Sequence, residues 1–162
     1  MAWTAPRTWV VGEIVTASIC NTHIRDDFNA IAYVLPLTAV ASGDLSMTTS
    51  YQDISGATIT LTPAGSWMIW AKFTFGINPA DAGADILGQI VINGVAQSNY
   101  AWVRTQNVGG VDIRSSTVVM LKTGVVDGHI AKLQAKQSAG SASVVAANNN
   151  ATSITARWVG IV

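Results

Sequence analysis

The chain has 162 residues, enough for one domain with a substantial core plus an appendage. Nine basic and nine acidic side chains cancel and make up only 11% of the sequence, less than half the usual share of about 25%, while 49% is hydrophobic. This composition excludes a disordered chain, and zero net charge excludes nucleic acid as a partner, because that needs clustered Lys and Arg.

Residues 1 to about 15 read as an extended arm in which Pro6 and Gly12 discourage regular structure. Trp3 and Trp9 bracket it, with Pro6 and Arg7 between them. Large aromatic side chains on an arm suit pockets in a neighbouring protein, since Trp is over-represented in interface hot spots. The competing reading is that the arm folds back onto its own domain. The start of the chain lacks the basic stretch and apolar core of a signal peptide.

Thr16 is a helix N-cap, and the helix it starts is expected to run from Ala17 to about Leu35, where Pro36 ends it. Ile24, Phe28, Ile31 and Leu35 follow at spacings of 4, 3 and 4, the seam of a short coiled coil, with Asn21 at the preceding seam position. Two heptads are too few to associate alone. The helix therefore either assists a trimer formed elsewhere or packs on its own domain. Cys20 and His23 share a helix face but lack the second pair of ligands that a structural zinc needs. As the only cysteine, Cys20 can form no internal disulfide.

Beyond Pro36 the helical period disappears. Strands are expected near 45–49, 57–62, 66–76, 86–93, 95–103, 113–122, 127–137 and 152–161, each rich in Val, Ile, Thr or aromatics and bounded by Gly, Asn or Asp. Asn93-Gly94 is a two-residue hairpin signal. Trp67, Ile69, Ala71, Phe73 and Phe75 make one face of their strand wholly apolar, and Met68, Trp70, Lys72 and Thr74 make the other partly so. Strand 86–93 is apolar on both faces, as expected of a strand between two buried surfaces. The long uncharged runs Ile54–Ala71, Ile86–Val103 and Gln137–Ala156 are broken by Pro63-Ala-Gly65, Asn93-Gly94 and Asn148-Asn-Asn150, so none is a membrane-spanning helix.

These strands predict an all-β fold, an antiparallel jelly-roll sandwich over residues 37–162, preceded by an arm and one short helix over residues 1–36. So few charges cannot cover the surface of so small a domain, so part of it is expected to be buried between subunits.

Little chemistry is signalled. Asp127 and His129 are expected on one face of a strand, yet neither a nucleophile nor an oxyanion hole is marked, so no catalytic residue is assigned. Asp81 and Asp85 could contribute to a calcium loop, but two carboxylates under-supply that ion. Asn150-Ala-Thr152 fits a glycosylation sequon and is read as incidental, and Val108-Gly-Gly-Val111 as a turn. No cofactor is expected.

Two resemblances bear on function. The order Arg7-Thr8-Trp9-Val10, Gly12-Glu13, Val15-Thr16-Ala17, Asn21-Thr22-His23-Ile24-Arg25-Asp26 and Asn29-Ala30 resembles the N-termini of small virion structural proteins of tailed bacteriophages, where this segment precedes a variable β-rich domain. Residues 45–162 resemble the trimeric jelly rolls of the tumour necrosis factor and complement-globular-head type. The pattern is carried by Gly65-Ser-Trp-Met-Ile-Trp-Ala-Lys-Phe, Ile90-Val-Ile-Asn-Gly94, His129-Ile-Ala-Lys-Leu-Gln-Ala-Lys-Gln137 and Ala156-Arg-Trp-Val-Gly-Ile161. Together they imply a non-enzymatic homotrimer on the particle surface. Its arm would hold a major capsid protein or another virion protein through Trp3, Pro6, Arg7 and Trp9. The small size, without a shaft, suits a capsid decoration or short head fibre. The alternatives are a tail-tip protein that binds a host surface glycan, and a soluble complement-like ligand-binding module. An aromatic groove on the outer surface would favour receptor binding.

Overall fold

The computed structural model describes residues 8, 10–26, 35–78, 83–104, 112–139, 144–145 and 151–160. The chain divides into two compact units, residues 1–35 and 36–162.

In the first unit a turn closes from Glu13 N–H to the Val10 carbonyl (3.1 Å), with Gly12 between them at φ +86°. Thr16 caps the helix as its sequence predicts. Its backbone is extended, and its hydroxyl accepts from the Ile19 N–H at 3.3 Å. The helix that follows is not uniformly α. One α turn, α1 (Ala17–Cys20), passes into a π-helical stretch over Asn21–Asp26. Residues 27–34 of the expected helix lie outside the described residues.

The second unit is all strand. Its elements are β1 (Leu37–Val40), β2 (Leu45–Ser46), β3 (Gln52–Leu61), β4 (Gly65–Ile77), β5 (Asp85–Ile92), β6 (Val95–Arg104), β7 (Asp112–Val125), β8 (His129–Gln137), β9 (Val144–Val145) and β10 (Ser153–Gly160). They form two antiparallel sheets. β4 is central to the six-stranded sheet: β7 pairs along one edge, while β10 and then β9 share the other, with β1 outside β10 and β2 outside β9. The four-stranded sheet has the order β3-β8-β5-β6. The expected jelly-roll sandwich is the fold found.

Alternation drives the packing. Trp67, Ile69, Ala71, Phe73, Phe75 and Ile77 of β4 all point inward and are buried. Ile154 and Ala156 of β10 join them from the same sheet, and Leu61, Ile86, Ile90 and Leu133 face them from the other. Each large apolar side chain removed from water in this way contributes about 1.5–3 kcal/mol before entropy is counted. The indoles of Trp67 and Trp158, paired across β4 and β10, donate to the carbonyls of Pro63 and Ala64, both at 3.1 Å, and so tie down the β3–β4 connection.

Several boundaries differ from those expected. β3 starts at Gln52, five residues before the expected strand, because Gly56 makes a bulge and not a break. At φ +80° it lies so close to β1 that a Cβ there would be 2.6 Å from the Val40 carbonyl oxygen. β8 starts at His129. Asp127 lies instead in a turn closed from His129 N–H to the Val126 carbonyl (3.1 Å), so the two do not share a strand face. β1 and β9 were not expected. Asn93-Gly94 forms the expected hairpin loop, both residues at positive φ (47° and 78°).

Candidate functional site

The outer face of the six-stranded sheet is built by the pairing of β4 with β7. Met68 lies opposite Leu121 and Trp70 opposite Val119, so these four apolar side chains form one block pointing away from the core. Trp70 is 36% exposed, Val119 48% and Leu121 55%, large fractions for side chains at the centre of a sheet. Further along, the outward residues become Lys72, Ser115 and Thr117, with Thr74 buried beside Ser115, and on β10 Ser153, Thr155 and Arg157. Among the described residues this face carries no carboxylate.

Strand β5, apolar on both sides in sequence, is not sandwiched between two sheets. Its outward residues are half-buried Leu87 and Gln89 and buried Val91 on the outer side of the four-stranded sheet, where the register sets Lys136 and Trp102 beside Leu87 and Lys132 beside Val91.

That side carries the second notable surface. Register places Asp53, Gln134, Gln89 and Tyr100 in one row across β3, β8, β5 and β6. The row is joined by hydrogen bonds. Gln89 Nε2 donates to Gln134 Oε1 at 2.8 Å, Gln134 Nε2 donates to Asp53 Oδ1 at 2.7 Å, and Lys132 Nζ donates to Asp53 Oδ2 at 2.7 Å. These bonds, that from Lys132 first, hold the Asp53 carboxyl below the usual carboxylate range. Beside this row lie Lys136, Leu87 and Trp102, with the Lys136 ammonium 4.6 Å from the centroid of the Tyr51 ring. Burial, and then proximity to Tyr100, push the Tyr51 hydroxyl's pKa up. Tyr100 and Trp102 are 60% and 52% exposed.

At the edge of the sandwich, Trp102, Val103 and Arg104 of β6 and Arg114 and Ser115 of β7 line an open cleft of about 600 Å³. Its arginines are answered by carboxylates: Arg114 Nε is 2.6 Å from Asp112 Oδ2, and Arg104 Nε is 3.9 Å from Asp85 Oδ1.

Of the residues singled out from sequence, Trp3, Pro6, Arg7, Trp9, Phe28 and Ile31 lie outside the described residues. Asn21, Ile24 and Leu35 are exposed. So are Val10, Val11, Ile14 and Val15, which extend the apolar character of the arm. Asp81 and residues 108–111 are also outside. Asp85 opens β5, where its N–H donates to the Ser138 hydroxyl oxygen (2.8 Å). Thr152 is buried and used within the fold. Among the described residues no three His, Cys, Asp or Glu side chains gather as metal ligands, and no helix is long and apolar enough to cross a membrane.

The Asp53-to-Tyr100 row was missed in the sequence because its members come from four strands. Its traces are visible: Lys132, Gln134 and Lys136 alternate with Ala131, Leu133 and Ala135, and Tyr100 and Trp102 flank Ala101. Only register brings them side by side.

No protein-family model matches the chain, and no curated protein matches it by sequence. Solved structures do. Murine APRIL, in a crystal structure at pH 5.0, aligns with a TM-score of 0.57 at 8% identity, over 76% of this chain and 98% of that one. The Eiger TNF of S. frugiperda aligns with a TM-score of 0.55 at 9% identity, over 79% of this chain and 94% of that one. In fold, then, this chain carries a TNF-like jelly roll.

Proposed function

We propose that the chain is a non-enzymatic structural protein of a tailed-bacteriophage particle, a homotrimer displayed at the particle surface. The observation that carries the trimer is the outward block of Met68, Trp70, Val119 and Leu121 on the six-stranded sheet. Apolar side chains in a continuous patch mark an interface. The block itself holds no charged side chain, so it can meet its own copy around an axis with little charge to desolvate, while Lys72 and Arg157 flank it. The place in a virion is supported by the N-terminal sequence resemblance. Residues 1–36 are the attachment segment in this reading, with Trp3, Pro6, Arg7 and Trp9 the contacts to a major capsid protein or another virion protein. Asn21, Ile24, Phe28, Ile31 and Leu35 would line the seam between the helices of the three copies.

Within the virion two positions compete. Small size favours a capsid decoration or short head fibre, whereas exposed Tyr100 and Trp102 on the four-stranded sheet favour a receptor-binding tip. Particles lacking the protein distinguish them. A decoration protein binds the assembled shell and stabilises it by mass action. Shells without it should rupture sooner on heating or osmotic shock and still adsorb to cells. Shells of unchanged strength that no longer adsorb would place the protein at the receptor-binding tip. Purified particles that contain no copies by mass spectrometry would end the virion reading altogether.

A further inference from the structure

From the exposed side of the four-stranded sheet we infer that this chain binds an uncharged oligosaccharide across Trp102, Tyr100 and Gln89. The inference stands on this surface alone and holds whether or not the chain trimerises or joins a virion. A pyranose ring has an apolar C–H face and an edge of hydroxyls, each at once donor and acceptor. Its binding site therefore needs a flat aromatic surface beside fixed polar groups. β6 supplies the first. Tyr100 and Trp102 are two residues apart on one strand, roughly 7 Å, and both point outward.

The second requirement is met by the hydrogen-bonded row. Gln134 is fixed at both ends of its amide, by Gln89 and by Asp53. Gln89 in turn spends an N–H on Gln134, which leaves its Oε1 beside Tyr100 to accept from a sugar hydroxyl. An amide held in one orientation before the ligand arrives spares the cost of ordering it on binding. The Tyr51 ring bounds the far side, held by Lys136. Past Trp102 the face opens into the cleft between β6 and β7, so a chain longer than one sugar has room to continue.

Charge decides among the ligands that stack on aromatic rings. A single-stranded nucleic acid needs free cations along its backbone. Here Lys132 is bound to Asp53, Arg114 to Asp112, Arg104 faces Asp85, and Lys136 lies over Tyr51. An apolar peptide fits no better, because the Asp53-Gln134-Gln89 row crosses the middle of the surface and would be buried against it.

Isothermal titration of the full chain tests this, with maltohexaose, cellohexaose, chitohexaose and a β-galactoside hexamer as uncharged probes and sialyllactose and a heparin hexasaccharide as charged ones. At least one uncharged probe should bind. Trp102→Ala and Gln89→Ala should each weaken it by at least tenfold, and Trp102→Phe, which keeps a ring, by less. These side chains are exposed or half-buried, and an unchanged melting temperature in each variant will show that the fold is intact. Binding of none of the uncharged probes overturns the inference. So does binding confined to the charged ones, or binding that Trp102→Ala and Gln89→Ala leave unmoved.

Discussion

Gly88 of β5 faces the ring of Phe73 of β4 across the sandwich, so closely that a Cβ on Gly88 would lie 2.6 Å from both Cδ1 and Cε1. The two sheets touch here with no side chain on one side. Phe73 is itself wedged beside Phe75, ring centroids 5.9 Å apart, so it has little freedom to yield. Gly88→Ala should therefore destabilise the fold by about 1–3 kcal/mol through overpacking, despite the better strand propensity of Ala. A melting temperature lowered by several degrees is expected, with part of the loss recovered in a Gly88→Ala, Phe73→Leu double variant. A melting curve unmoved by Gly88→Ala would mean that the sheets are not this close.

Thr152 supports β4 where its neighbour changes from β10 to β9. There the buried Thr152 hydroxyl accepts from the Thr74 N–H at 3.0 Å. Thr152→Val keeps the shape and removes this buried acceptor, at a cost of about 1–3 kcal/mol. Thr152→Ser should cost less. Urea titration of both variants checks the order, and equal losses would contradict it.

Asp53 gives the fold an acid-sensitive contact. Its carboxyl is held low by Lys132 and Gln134, so the native state favours the ionised form more than the unfolded chain does. That contribution is fully present above about pH 4 and is lost as pH falls through the lowered native value. The carboxylate is more than half exposed, so solvent screening keeps the effect under about 1 kcal/mol. Melting temperatures of the native protein and of Asp53→Asn should differ at pH 7 and converge as the pH falls through the lowered native value. Parallel curves would contradict the pairing.

Much of this fold was legible residue by residue. Period-two alternation located β4 through β8 and β10 to within a few residues, and Asn93-Gly94 fixed the β5–β6 hairpin. β1 and β9, with four and two residues, carry too little pattern to be seen alone and exist because β10, β4 and β2 offer them partners. The π-helical turn at Asn21–Asp26 has no spacing signature distinct from α over so few residues. The candidate surfaces were half legible. Met68 and Trp70 could be read as a second apolar face of β4, but Val119 and Leu121 joined them only through the β4–β7 register. The polar row could not be read at all without the pairing of four strands.

The outward block of Met68, Trp70, Val119 and Leu121 makes a definite demand on assembly. If it is the trimer contact, an obligate interface of this kind buries above about 2,000 Å² in total, and a charge placed in it must be desolvated. Trp70→Asp with Leu121→Asp should then release folded monomers, since neither side chain is part of the inner core. The mass of the unmodified full chain in solution, by light scattering, is the most direct measurement. A mass three times the monomer's 17.0 kDa is predicted, falling to one protomer in the double variant. A stable, soluble 17.0 kDa monomer from the unmodified chain would contradict the trimer and the use of this face.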